Sequence, residues 1–512
     1  MVKVINWPSC LSTLGEAPTI EELPHTITKT IDRIKALVIN LRLKQDVFLI
    51  LFCFWLILST ELHIVSHPFI GTFFWEKFKF INNSSIIGTS TKGFGYGIYN
   101  NGIVTELINN GSIAGIFSKD VSLGISNDDI ITTLTNNGSI TGEATTGSFG
   151  SGIANSGTIG ELTNNGLIKG TAEESFGIGI NNTGAITELT NTGLLVGTAE
   201  KSSGYGISNT GIIEKLINNG SLMGTAKEWY GYGISNTGII EKLINNGLVI
   251  GTTIGSSSSG ITTKNTENLI NTGVVYGDEN AVNNNGTIDS LKNYGILATK
   301  GSTAVNGTIG SQEDYGLDIK NLNGTLSVTA GVGGEENIIM EYVDGKEMIR
   351  KMTIKNKSAI DGSDSFDGNE SNAILNALKN TYKVSGIDNE IIGSIVNAYG
   401  TAITFGGAGS QLTLSGTIVS GGIDGSDTVT GSGNDNTLIL QSGTVDYTSG
   451  SITQNTIING NINMGGGDDT VTVGNGTIIN GILDGGTGND TLNFDSPVAR
   501  TSNSDGVKIQ HN

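Results

Sequence analysis

From residue 98 to residue 297 the apolar positions of this chain recur on a fixed beat. The stretch GYGISNTGIIEKLINNG occurs at Gly204 to Gly220 and again, unchanged, at Gly231 to Gly247. It belongs to a longer series. A glycine that closes an Asn-rich turn returns at Gly111, Gly138, Gly166, Gly193, Gly220, Gly247, Gly273 and Gly295. Four residues before these stand leucines, from Leu107 to Leu291, and two residues after them stand aliphatics, from Ile113 to Leu297. A further aliphatic column runs through Ile98, Ile125, Ile153, Ile180, Ile207 and Ile234. The apolar runs are short, alternate with period two and are broken by Asn-Thr-Gly or Asn-Asn-Gly, so they predict strands; helical repeats need longer segments with 3.6-residue spacing. A period near 27 residues then predicts a solenoid. The expected fold is all-β, a parallel β-helix with three short strands per ~27-residue coil, whose aliphatic columns become a core only when coils stack.

The turn residues follow from this geometry. Glycine is expected at the corners to supply positive φ, with asparagine beside it as the residue that tolerates that region better than most. Asn109, Asn136, Asn164, Asn191, Asn218 and Asn245 recur in register and predict a side-chain amide ladder. A sugar-binding track is the functional alternative for the same row, and the many Asn-x-Ser/Thr triplets follow from the turns. Composition agrees with a continuous ladder. There are 76 glycines against 5 prolines, and those lie at Pro8, Pro18, Pro24, Pro68 and Pro497, which leaves every backbone donor between them intact.

Charge and cysteine narrow the function. The net charge is −20, carried by residues beyond the nearly neutral first 80. Such a surface repels nucleic acid, and with arginine only at Arg33, Arg42, Arg350 and Arg500 there is no basic stripe for a phosphate backbone. Cys10 and Cys53 both precede the repeats, so the solenoid holds neither a disulfide nor a thiolate metal site. Val47 to Leu58 reads VFLILFCFWLIL behind several lysines and arginines, which predicts a helical export segment, cleaved or retained as an anchor. The organisation expected is a leader at 1–80 with its apolar segment at 47–58, regular repeats at 81–310, an irregular stretch or small insertion at 311–400, a second solenoid at 401–496 and a truncated tail at 497–512. Within the irregular stretch, NAILNALKNT from Asn372 to Thr381 reads as a helix.

The second rhythm is shorter. TIINGNINMGGGDDTVTV at 456–473 and TIINGILDGGTGNDTLNF at 477–494 are 21 residues apart. Gly485 to Asn493, GGTGNDTLN, fits the nonapeptide of calcium-binding β-rolls at every defined position. Met464 to Thr472 and Gly422 to Thr430 each fit with one defect, which makes Asp490, Asp469 and Asp427 candidate calcium ligands. Gly-Asp turns that merely serve the solenoid are the competing reading, because a β-roll builds its site between consecutive nonapeptides and none here is adjacent in sequence.

GSQLTLSGTIVSGGIDGSDTVTG and TVTVGNGTIINGILDGGTGNDTLNF resemble the last passenger coils of Gram-negative autotransporters; residues 81–306 resemble that family in architecture alone. The resemblance implies export, a β-helical passenger at the cell surface or outside the cell, and an outer-membrane β-barrel translocator, for which residues 497–512 supply no strands. Partners are then host or neighbouring-cell surface molecules, with Tyr99, Tyr205, Trp229, Tyr230 and Tyr232 as a candidate contact patch. The histidines are His25, His63, His67 and His511, so the repeats hold no Ser-His-Asp triad. Polysaccharide cleavage would use carboxylate pairs such as Asp361 with Asp364 or Asp468 with Asp469. The expectation is an adhesin or stalk without catalysis or cofactor, with a β-helical polysaccharide-acting enzyme or a calcium-stabilised secreted protein as alternatives. About fifteen coils in one rod would span on the order of 70 Å.

Overall fold

A computed structural model describes residues 78–495, apart from 91–92, 118–119, 147–148, 332–337, 344–345, 352, 357–359, 363–373 and 378–381, together with strands Glu61–Ile64 and Lys508–Gln510. The apolar segment at 47–58 lies outside these residues. Among the described residues there is no helix; the chain is a parallel β-solenoid.

One repeat shows how the sequence makes a coil. Gly204–Asn209, Ile212–Asn218 and Ser221–Ala226 are its three strands. Each pairs in parallel with the same segment of the next coil, Ile207 opposite Ile234, Leu216 opposite Leu243 and Leu222 opposite Val249. The alternation read from sequence decides the faces: Ile207, Ile213, Leu216 and Leu222 are fully buried. At Ser259–Asn271 and Asn280–Asn293 the first two strands of a coil merge into a single long one.

Two asparagine columns line the corners. Asn191 donates its Nδ2 proton to Asn218 Oδ1 at 2.8 Å, and Asn218 to Asn245 Oδ1 at 2.8 Å. The second column, through Asn155, Asn182, Asn209 and Asn236, does the same at 2.7–2.8 Å. All are buried. Their amides also bond turn carbonyls, as Asn209 does to Gly211 at 3.2 Å and Ile239 at 3.1 Å. A stack of turns thereby satisfies polar groups that burial would otherwise leave unpaired.

The corner glycines act differently from the expectation. Gly220 does not take positive φ; a Cβ there would stand 2.1 Å from the Gly193 carbonyl oxygen of the coil before. The glycine is needed because consecutive turns stack too closely for a side chain. Positive φ is concentrated instead in the later, shorter coils, for example Gly425 at 93° and Gly486 at 88°.

The solenoid does not continue as one rod. Leu317–Lys320 takes an antiparallel partner, Ser327–Ala330, which ends parallel stacking there. The hairpin Ile338–Val343 with Lys346–Lys351 follows and pairs, through Arg350 opposite Tyr447, with a second hairpin, Gly443–Tyr447 with Gly450–Gln454. Thr353–Lys355 and Ile360–Gly362 then lie antiparallel on Asn389–Ile392 and Tyr382–Val384. Antiparallel caps close strand edges that would otherwise template further pairing. A second parallel stack starts at once: Ile374–Ala377, Ile395–Ala398, Ile418–Ser420, Thr456–Asn459 and Thr477–Asn480 pair in turn. The helix expected from Asn372 is therefore a strand over Ile374–Ala377, where Ile374, Leu375 and Ala377 are all buried. Pairing with the following coil overrides its helical propensity.

This second solenoid runs back along the first. Asn376 Nδ2 donates to Tyr315 O at 2.9 Å, Asn397 to Tyr294 O at 2.8 Å, Asn459 to Asn246 O at 3.0 Å and Asn480 to Asn219 O at 3.1 Å. As one set of numbers rises the other falls, so the two stacks are antiparallel and in register. Their cores join. Ile270 and Tyr294 of the first share a cluster with Ile395, Val396 and Ile458 of the second. The body is consequently a folded-back pair in place of the expected long rod; its longer arm, from Asn82 to Asp314, rises roughly 45 Å at about 4.8 Å per rung.

Candidate functional site

The acidic corner of the second solenoid is the most chemically distinctive place in the fold. Thr437, Thr470 and Thr491 pair in register, and the turns before them stack: Gly466 bridges Thr487, Thr487 N donates to Gly465 O at 2.8 Å, and Gly467 N to Thr487 O at 3.0 Å. Segments separated by 33 and 21 residues thus become neighbours, because one coil returns the chain to the same corner. The longer interval contains the hairpin at Gly443–Gln454.

Two columns of side chains result. In the outer one Asp435 Oδ1 accepts from Asp468 N at 2.8 Å, and Asp468 Oδ1 from Asn489 N at 2.9 Å. In the inner one Asp469 Oδ1 accepts from Asn436 N at 2.7 Å, and Asp490 Oδ1 from Asp469 N at 3.1 Å. Each carboxylate therefore uses one oxygen to receive a backbone donor of an adjacent coil. The other oxygens of the inner pair differ: Asp469 Oδ2 and Asp490 Oδ2 are buried and accept no hydrogen bond. Asp469 is only 1 % exposed. Burial, and then its acidic neighbours Asp490, Asp435 and Asp468, push its carboxyl up to about 6, against the partial opposing effect of the Asn436 N–H.

Asp490 and Asp469, chosen from the nonapeptide pattern, thus meet in one corner. Asp427 does not join them: Thr428 beside it bonds Asn461, at a different corner, and the third member of the stack is Asp435 with Asn436. That pair carries a Gly-x-Asp trace, Gly433 to Asp435 in GSGNDN, a signal present in the sequence but hidden by the intervening hairpin. Asp468 and Asp469 are not a facing carboxylate pair, since Asp468 is exposed and Asp469 buried. Asp364 lies outside the described residues. Among the described residues no three Asp, Glu, His or Cys side chains converge as a metal cluster.

The aromatic patch is a stack. Phe176, Tyr205, Tyr232 and Tyr230 follow one another with ring centroids 5.9, 5.7 and 5.5 Å apart and interplanar angles of 13–21°. Their faces are turned to each other, which leaves edges to the outside. Trp229 stands edge-on to Tyr230 at 6.2 Å and is 56 % exposed. Burial raises the Tyr205 and Tyr232 hydroxyls above the ordinary phenolic range. Tyr99 belongs to a separate group, 5.2 Å from Tyr96, and its hydrogen bond to Asp128 pushes its hydroxyl up to about 12.

No family model, no curated protein and no solved structure matches this chain.

Proposed function

We propose that this protein is an exported, non-catalytic passenger-like solenoid that serves at a bacterial surface as a stalk or adhesive body. The observation that carries the reading is the use made of polar side chains: the recurring asparagines are buried and bonded coil to coil, so the repeat is spent on building a stiff body. Regular coils give the body a repeating outer surface, which suits an extended contact with a host or neighbouring cell. The acidic balance favours solubility outside the cell. The apolar segment at 47–58 directs export in this reading, and a β-barrel in the outer membrane, supplied apart from the residues described, holds the body in place. Trp229 with Tyr230 is the first contact point to examine.

Protease shaving of intact producing cells, followed by mass spectrometry, tests the proposal. Release of peptides from residues 204–247 before lysis is expected. Their protection until lysis would sink surface display.

A further inference from the structure

We infer that the corner formed by Asp469 and Asp490 is a calcium site, closed by carboxylates of two consecutive coils and completed by peptide carbonyls of the stacked glycine turns. The inference is independent of surface display. It starts from two buried carboxylate oxygens, Asp469 Oδ2 and Asp490 Oδ2, that accept nothing, on side chains already tied by Oδ1 to successive backbone donors. An anionic oxygen buried without a donor is costly unless a cation supplies the missing partner. The segments that form the corner offer no cation of their own: Ser432–Asn436, residues 465–470 and residues 485–491 contain neither lysine nor arginine. Asp435 and Asp468 run alongside in the outer column and add negative charge near the inner pair.

The ligand class follows from the atoms. With no histidine or cysteine in these segments, the donors are all oxygen, which selects a hard cation. Two carboxylates with turn carbonyls suit calcium, which takes six to eight oxygens in adaptable geometry; magnesium demands near-octahedral geometry and keeps most of its water. The glycines have a matching role. Gly465, Gly467, Gly486 and Gly488 all hold positive φ, at 88°, 108°, 88° and 141°. A Cβ on Gly485 would stand 2.6 Å from Asp490 Oδ2, so a side chain there would fill the space beside the unpaired oxygen. The objection from sequence spacing also disappears: nonapeptides 21 residues apart are adjacent once a coil has that length, as the Thr470–Thr491 pairing shows.

The test is equilibrium dialysis of the purified full-length chain against radiolabelled calcium with excess magnesium, with thermal unfolding followed in parallel. Saturable uptake is expected with a dissociation constant on the order of 10⁻⁴ M, and calcium should raise the melting temperature. Asp490→Asn and Asp469→Asn should each weaken uptake about tenfold or more, whereas Asp427→Asn, at another corner, should leave it unchanged. Absence of saturable uptake at millimolar calcium would overturn the site, as would uptake that Asp490→Asn does not weaken. If Asp469→Asn fails to fold, wild-type uptake and the Asp490→Asn variant, at a less buried position, still decide the question.

Discussion

One face of the longer solenoid is covered along half its length and, among the described residues, bare along the other half, and burial records the difference. On the uncovered half the strand position facing outward beside the corner is Ile81, Ile108, Thr135, Thr163 and Thr190, all half-buried; on the covered half its register partners are Ile217, Ile244, Ile270, Lys292 and Glu313, of which Ile270 and Lys292 are buried. The corner residues follow suit. Asn137 and Asn165 are exposed, while Thr272 and Tyr294 are fully buried. The inward columns hardly change. Isoleucine stands at this outer position on both halves, so what the returning solenoid changes is burial: Ile270 is 3 % exposed within the joint core, and Ile244 packs against it. The identical copies Gly204 to Gly220 and Gly231 to Gly247 sit where Asn480 and Asn459 dock, so duplication supplied two coils with one docking surface.

Placing one charge at an uncovered and at a covered position of that column should break the comparison most sharply. Ile270→Asp puts a carboxylate into the joint core and is expected to cost about 4 kcal/mol. Thr163→Asp, in the same register column but half-exposed, is expected to cost less than about 1 kcal/mol. Chemical denaturation of the two variants reads both. Equal losses would mean that the returning solenoid does not cover this face in solution.

A second contrast separates the two solenoids by what glycine does in each. Gly220→Ala forces a Cβ to 2.1 Å from the Gly193 carbonyl and should cost about 3 kcal/mol, because neighbouring turns must separate. Gly425→Ala meets nothing within 4 Å but must hold φ at 93°, and about 1 kcal/mol is expected. Thermal melts of the pair measure the difference; the reverse order would show that coil spacing is looser than it stands here.

These contrasts also mark what the sequence made legible. The aliphatic columns and the Asn218 row were readable because identical chemistry recurs every 27 residues. The Asn209 row carries the same period and was equally available. The turn-around was not, because its strands are antiparallel caps whose partners lie far away in sequence, such as Thr353–Lys355 on Asn389–Ile392. Periodicity reports stacking of like on like and is silent about where a stack ends. The acidic corner was half legible: Asp469 and Asp490 stood out by pattern, but Asp435 was displaced from the beat by the hairpin at Gly443–Gln454, and spacing alone gave the wrong third partner in Asp427.

The end of the longer solenoid offers a smaller, pH-dependent effect. At Asp314 the asparagine column finishes on a carboxylate, which accepts from Asn293 at 2.8 Å. Burial, and then Asp314, push the nearby Asp318 carboxyl up to about 6, although Lys320 lies 3.2 Å away. Asp318 therefore holds its proton more tightly folded than unfolded. Between about pH 4 and 6 the folded state binds more protons, so stability should fall as pH rises, by on the order of 2 kcal/mol, and level off above about 6. Asp318→Asn should flatten that part of the profile in urea titrations taken at successive pH values. A slope unchanged in the variant would assign the effect elsewhere.

The finest comparison is between two exposed-to-buried asparagines of similar appearance. Asn459 donates to Asn246 O across the solenoids at 3.0 Å and to Ser420 Oγ at 2.9 Å, and accepts from Asn480 at 2.8 Å. Asn165 donates only to Asn137 Oδ1 at 2.8 Å, on the bare corner, and accepts from Thr192. Asn459→Ala leaves a carbonyl, a hydroxyl and an amide short of a partner in a buried place and should cost about 1 kcal/mol or somewhat more; Asn165→Ala, where water replaces what is lost, should cost about 0.3 kcal/mol. Hydrogen exchange adds the spatial readout. In Asn459→Ala, amides of coils at Asn219 and Asn246 should exchange faster while those near Asn137 keep their protection, because undocking exposes the covered half of the face alone. Faster exchange spread evenly over both halves would mean that the two stacks unfold as one unit and that the covered half owes nothing special to its partner.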